Sequence, residues 1–385
     1  MRYLRNRKLA ALLFSLFMLF VIGCGTGAKK EEMVKTESAD SKTVKTEPVE
    51  VKPVKIEKIE LPQGAAVPKK VRIGIINTKA LPPQPVYGFE KGVYKTAFPE
   101  IDFQMILSQG HCDVAENMQD SNWDLMYMSF GPAIEFVNYG YDKYKPAKYT
   151  ILAGAQYGTN MLMAKPDIKG IKDLDGKTVG ITNKNHDKEM VLNKLLAKEG
   201  LKTTALGGTV KIIYKEPVDL VKLYQKGELQ ALFPMPSMVN VLQKSGSKIL
   251  ADGTKTFGKN QTFSVLAVSN KFLAEYPDFV KAFLQVHVDT TLMAQQNFNE
   301  MVELTCTLEN KSFNNDPKRV IPKAEVEAIY KRNLTTYDPN LKYVQDSYKL
   351  LQDAKYLKAM PAFDKWADFT MLNEVLKEKG LPEIK

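Results

Sequence analysis

The chain is poor in the residues from which catalytic and metal centres are most often built. It has three cysteines and three histidines in 385 residues. Cys24 closes an N-terminal apolar run, while Cys112 and Cys306 lie far apart in sequence. Nothing local demands that these two pair, so a disulfide in an oxidising exterior and two buried free thiols both stay open. His111-Cys112-Asp113 sets three potential ligands in a row. Adjacent residues converge poorly on one metal and no second cluster supports them, so neither a metal nor another cofactor is expected. His186 begins a helical pattern, as a ligand contact or a surface residue, and His287 lies inside one as a packed or surface histidine. Gly207-Gly208 precedes a strand rather than a helix, which makes it a turn and not a phosphate loop. With no Gly-x-Ser-x-Gly elbow and no Cys–His pair in a plausible strand context, no catalytic residue is nominated and no enzyme is expected.

Arginine is scarce beyond the first eight residues, where Arg72, Arg319 and Arg332 are all there is. None falls at an expected strand end, so a bidentate arginine clamp on a sulfonate or carboxylate is not expected. The formal charge is +10, but Arg2, Arg5, Arg7 and Lys8 supply four of those charges, leaving an excess of six. Lys and Glu alternate through much of the remainder. No Arg-rich helix, zinc-finger spacing or RNA-binding aromatic motif appears, so the basic balance reads as a solvated surface and not as a nucleic-acid footprint.

Those four charges form the n-region of an export signal. Leu9 to Ile22 is apolar but too short to span a bilayer comfortably, and Val21-Ile22-Gly23-Cys24 looks like a bacterial lipobox. The reading is a signal peptide over residues 1–23 and a lipidated Cys24 that holds the protein on a membrane, facing outside or the periplasm. Residues 24–70 follow as a tether, rich in Lys, Glu, Val, Thr, Ser and Pro and without an aromatic residue. Such a composition buries too little apolar surface to order itself.

Order is expected from Val71, where VRIGII reads as a strand, with a Pro-rich loop and a helical pattern from Tyr87 to Phe98 after it. Phe103–Leu107 and Asp124–Met128 are further strands, the second running into Ser129-Phe130-Gly131-Pro132 and a helix from Ala133. These alternations argue for a parallel sheet with covering helices, lobe I, over residues 71–155. Tyr149–Ala155 is extended and broken by Gln156-Tyr157-Gly158-Thr159, as a segment crossing to a second lobe over residues 156–255. Thr262–Val268 then re-enters lobe I, and residues 256–385 end in helices.

The clearest unit is Ile171 to Gly200. Asp175-Gly176 is a turn, Thr178–Ile181 a β-branched strand, and Thr182 to Asn185 offers polar side chains where a helix must begin. Val191, Leu192, Leu195 and Leu196 form one apolar stripe, and Gly200 supplies a left-handed stop. Ligands of open α/β sheets bind beyond the carboxyl ends of strands, which makes Thr182 to His186 a candidate site.

Four features together resemble the solute-binding proteins of ABC importers, in the group serving sulfonates, taurine, nitrate and thiamine-precursor pyrimidines. They are the lipobox with its tether, Trp123-Asp124-Leu125 leading to Ser129-Phe130-Gly131-Pro132, the string Asp173-Leu174-Asp175-Gly176-Lys177-Thr178-Val179-Gly180, and Lys226-Gly227-Glu228-Leu229-Gln230-Ala231. The likeness covers about Val71 to Pro277, and the residues beyond match only as helices. It implies an α/β, bilobal, periplasmic-binding-protein-like type II fold, two doubly wound sheets joined by two crossing strands. Ligand would be trapped by hinge closure. The implied partners are a small solute, an ABC permease and its ATPase, and the membrane through the N-terminal lipid, with the protein a monomer.

Carried onto this chain, the binding candidates are Asn77 and Thr78 after the first strand and Ser129 and Phe130 after the third. To these are added Gln156 and Tyr157 at the crossing, Thr182, Asn183 and Asn185 at the lobe II helix start, and Met235 beside Pro234. Helix N-termini at such places suit an anionic head group. The missing arginines and Asp187 in the first turn of the key helix keep open a neutral or cationic ligand stacked on Phe130 and Tyr157, aromatics that core packing would equally explain. A surface sensor without a transporter, and an enzyme on the same fold, are the rival functions.

Overall fold

The computed structural model describes residues 53–76, 81–108, 122–131, 133–134, 148–158, 160–182, 187–253, 258, 260–312, 321–353 and 362–384. All of them belong to the unit Lys52–Lys385. The lipidation candidate Cys24, and Asn77, Thr78, Asn183, Asn185, His111, Cys112 and His186, lie outside the described residues.

The first sheet begins with β1 (Lys70–Ile76), β2 (Asp102–Ser108) and β3 (Leu125–Ser129), the two latter strands parallel to the first. Antiparallel to β3 lies β10 (Thr262–Ser269), which pairs on its other edge with β4 (Tyr149–Tyr157). A two-residue strand, β11 (Leu334–Thr335), completes the order β11-β4-β10-β3-β1-β2. In β1 the alternation is clean. Val71, Ile73 and Ile75 are fully buried on one face, while Gly74 leaves the space on the other that the Trp123 ring fills, 2.2 Å from where a Cβ would stand. Two apolar clusters flank the sheet, one including Ile73, Tyr87, Phe279 and Phe283, the other Trp123, Met126, Phe130, Tyr149 and Trp366.

The second sheet has the order β7-β6-β8-β5-β9, made from β5 (Met161–Ala164), β6 (Thr178–Ile181), β7 (Lys211–Tyr214), β8 (Ala231–Leu232) and β9 (Lys248–Asp252). The Ile171–Gly200 unit forms as its chemistry dictates. β6 is buried from Val179 to Ile181, the helix Asp187–Lys198 buries Val191, Leu192, Leu195 and Leu196, and Gly200 at φ 73° lets the Leu201 amide reach back to Leu196 O at 2.9 Å.

The chain crosses between the sheets twice, from β4 to β5 and from β9 to β10. Where residues of both crossings are described they are bonded to each other: the Gly158 amide donates to Gln261 O and the Gly253 amide to Asn160 O, both at 2.9 Å.

Several details depart from the sequence expectation. The helical pattern from Tyr87 to Phe98 is two helices, Pro83–Glu90 and Val93–Ala97, divided where Gly92 turns left-handed at φ 70°. The strand β11 has no counterpart in the sequence reading, because two residues carry no periodicity. Gln156 and Tyr157 still belong to the first sheet. The tether does not run free to Lys70: Val54, Ile56, Ile59 and Leu61 pack half-buried on the lobe I core, and the Ile59 amide donates to Ala97 O at 3.0 Å. The reason is short-range alternation within VKIEKIEL, which segment-average composition hides.

Candidate ligand-binding site

At the carboxyl end of β3 one rung of the first sheet is polar across four strands. Ser129 pairs with Ser264, Ser264 with Gln156, and Gln156 with Thr335. The rungs behind it hold Met128 and Val265, then Tyr127, Leu266 and Ala153. A polar rung ahead of apolar ones is what the end of a buried sheet needs where it meets something other than core. Ser264 Oγ donates to Gln156 Oε1 at 3.1 Å, which fixes the amide orientation and turns Nε2 away from that bond. Gln156 is fully buried, and its Nε2 has no hydrogen-bond partner among the described residues. An unpaired buried amide of this kind costs about 1–3 kcal/mol.

The other candidates fall in differing surroundings. Ser129 is half-buried on that rung. Phe130 is 2% exposed, lies 5.8 Å from the Tyr343 ring and belongs to the second lobe I cluster, so its surroundings are those of packing. Tyr157 is half-buried with its hydroxyl held by Asp338 and Thr336, and burial pushes its phenol well above the usual range. Thr182 is half-buried and accepts from Lys188 Nζ at 3.2 Å, while Met235 is half-buried and caps the helix Pro236–Lys244 through its carbonyl to the Met238 amide. His287 is core: it sits between Tyr127 and Gly154 O in the helix Pro277–Gln296.

The residues that sequence reading missed come from the far end of the chain. Helix Lys323–Tyr330, β11 and the helix Leu341–Asp353 bracket the crossing segments. Between them, residues 336–340 are bound to β4 and to the second crossing through Gly154 N to Tyr337 O, Thr336 N to Ala155 O and Asn340 Nδ2 to Asn260 O. Arg332 Nη1 donates across to Asn240 Oδ1 in lobe II at 3.1 Å, and Met190 of lobe II is buried among Trp123, Phe130 and Tyr343 of lobe I. Thus an arginine does reach the space between lobes. No strand-end pattern could reveal it, because Arg332 arrives from a helix end. Arg72, in contrast, is committed to Asp124 at the opposite ends of the strands, through Nη2 to Oδ1 at 2.8 Å and Nε to Oδ2 at 3.1 Å.

Two mixed α/β sheets, the first with β10 and β11 reversed and the second with β5 reversed, joined by a pair of crossings, define a periplasmic-binding-protein-like type II fold. Within it, residues 149–300 match the NMT1/THI5-like family, upholding the resemblance that the motifs carry and leaving β1–β3 and the later helices outside the match. The taurine-binding periplasmic protein of Escherichia coli is 27% identical over 146 residues, which cover 37% of this chain and 43% of that protein. Among solved structures, the alkanesulfonate-binding protein SsuA of Xanthomonas axonopodis pv. citri superposes with a TM-score of 0.62 at 16% identity, over 79% of this chain and 100% of that one. The periplasmic nitrate-binding protein NrtA of Synechocystis PCC 6803 does so with 0.63 at 14% identity, over 82% and 90%. At these identities the structural likeness establishes the fold. The desulfurization enzyme DSZB shares it, with a TM-score of 0.57 at 15% identity over 81% of this chain and 100% of that one.

Proposed function

We propose that the protein is the solute-binding component of an ABC importer, lipid-anchored at Cys24 outside the cytoplasmic membrane, which captures a small organic solute between its lobes and delivers it to a permease. The observation that carries this reading is the polar rung Ser129–Ser264–Gln156–Thr335, with its unpaired buried amide, at the carboxyl edge of a sheet that ends beside two crossing strands. Ser129 and Gln156 are the ligand contacts on that rung. Thr182 and Met235, with Asn77, Thr78, Asn183 and Asn185 at the neighbouring strand ends, complete the proposed site, and Tyr157 and Phe130 support it by packing. Sulfonates and nitrate-like anions are the solute classes that the relatives suggest, and pyrimidine-like compounds the class that the sequence resemblance adds.

The fold shared with a desulfurization enzyme sustains a second reading, catalysis on a similar solute. Of the groups it would use, His287 is a core residue and burial pushes the Cys306 thiol up, while His111, Cys112 and His186 lie outside the described residues. The test is native mass spectrometry of protein purified gently from its own membranes, with the Cys24→Ala variant alongside. Expected are an acylated mature chain carrying an intact small solute, and an unprocessed precursor for the variant. Conversion of the solute to a product on incubation would replace the importer reading by the enzyme one.

A further inference from the structure

Gly158 opens the first crossing, and three residues with amide side chains flank it: Gln156 two positions before, Asn333 across from it and Gln261 bonded to its amide. β11 pairs antiparallel with β4 as Leu334 to Tyr157 and Thr335 to Gln156, which sets Asn333 opposite Gly158 and diagonal to Gln156, on one face. The Asn333 side chain does lie over the glycine: Oδ1 is 2.9 Å from where a Gly158 Cβ would stand, with Phe263 as close. Only glycine admits this arrangement. Gln261 joins from the second crossing, its carbonyl accepting from the Gly158 amide and its Nε2 donating to Gly258 O at 2.9 Å. A carbonyl only accepts, so this bond fixes the Gln261 amide with Oε1 as its free end.

Gln156, Gln261 and Asn333 are 0%, 2% and 2% exposed, yet each keeps one polar atom without a hydrogen-bond partner among the described residues: Gln156 Nε2, Asn333 Nδ2 and Gln261 Oε1. Three such atoms beside one glycine would each be costly if nothing were ever to meet them. Two are donors and one is an acceptor. Next to Asn333 in sequence, Arg332 brings a half-buried guanidinium that donates to Asn240 of lobe II, a positive charge between the lobes.

We propose that Gln156, Gln261 and Asn333 form a ligand subsite over Gly158, selective for an oxyanion that also carries an amino or hydroxyl donor on its chain. The two amide N–H groups take the oxyanion, Arg332 adds attraction for its charge, and Gln261 Oε1 accepts from the donor. This deepens the solute-binding reading and rests on it. It also assigns binding to Arg332 and Asn333, which lie beyond the 149–300 family match.

The test is calorimetric titration of the full chain with matched pairs that differ by the donor: taurine against ethanesulfonate, isethionate against ethanesulfonate, β-alanine against propionate. The donor-bearing member is expected to bind at least tenfold tighter, and Gln261→Leu to abolish that preference. Gln156→Glu and Asn333→Asp, which keep size and shape but put a carboxylate where an N–H stood, are expected to weaken the oxyanion by tenfold or more. A buried carboxylate lowers stability by itself, so Gln156→Leu and Asn333→Leu, which remove the N–H without adding a charge, are measured beside them. These should weaken the oxyanion as well while their melting temperatures without ligand stay near the parent's, which separates loss of contact from loss of fold. Equal binding within every pair, or no binding of any donor-bearing oxyanion, overturns the subsite. If the protein nevertheless holds a solute from its own cells, and both acidic variants hold it as tightly, only the subsite is lost. A protein that binds no solute at all removes the solute-binding reading itself.

Discussion

His287 shows how one buried side chain can set a pH limit on the fold. Its Nε2–H donates to Gly154 O at 2.8 Å, and because that oxygen only accepts, Nδ1 is the site that receives the Tyr127 hydroxyl at 3.0 Å. The Tyr127 bond requires neutral imidazole, because Nδ1 must keep its lone pair, whereas the Gly154 bond is one that either form of the ring can make. Burial pushes its pKa down to about 4, with the carbonyl bond opposing only in part. An unfolded histidine titrates near 6.5, so between these values the unfolded chain binds the extra proton. The contribution is therefore complete above about pH 6.5 and declines as pH falls towards 4, by about 3 kcal/mol in all. Urea unfolding at pH 7 and at pH 4.5 should show a drop in stability that is smaller by that order in His287→Gln. Identical pH dependence in parent and variant would mean that the ring does not carry it.

Residues 334–340 act on β4 and the crossing strands through backbone contact as well as through side chains. Gly154 lies so close to this segment that a Cβ would stand 2.3 Å from Asp338 O and 2.6 Å from its carbonyl carbon, and neither backbone atom can swing aside. The Gly154→Ala variant should lose about 1–3 kcal/mol in chemical denaturation, the usual effect of overpacking a well-filled site. An unchanged midpoint would show that the segment lifts away freely. Its register also fixes Tyr157 from two sides: Leu334 pairs with it in the sheet while Asp338 holds its hydroxyl. The same pairing brings Asn333 over Gly158.

For the molecule as a whole, the last part of the N-terminal segment adds to the fold. Residues 53–69 lie on lobe I, with Val54, Ile56, Ile59 and Leu61 against its core. Removing residues 25–52 should leave the stability of the folded unit unchanged. Removing 25–69 strips those four half-buried side chains and should lower stability by about 2–4 kcal/mol, at somewhat under 1 kcal/mol for each half-exposed aliphatic group. The pair of truncations, compared by urea unfolding, separates tether from fold. Equal stability of the two would assign the whole stretch to the tether.

The sequence alone determined what short-range chemistry can determine. The unit from Asp175-Gly176 through β6 to Gly200 is legible because a turn, a β-branched run, a 3.6-residue apolar stripe and a left-handed stop follow in order, each sensed within a few residues. The return of Thr262–Val268 to the first sheet was legible for a similar reason, an apolar extended run after a helix-and-strand series. Ser129 and Gln156 could be nominated separately as strand-end residues. Only the tertiary structure put them on one rung through Ser264, since register between strands 27 and more positions apart is set by packing and leaves no local trace. It alone delivered Arg332 and Asn333 to the crossing, because a two-residue strand has no period to read and acquires its meaning from the partner it pairs with.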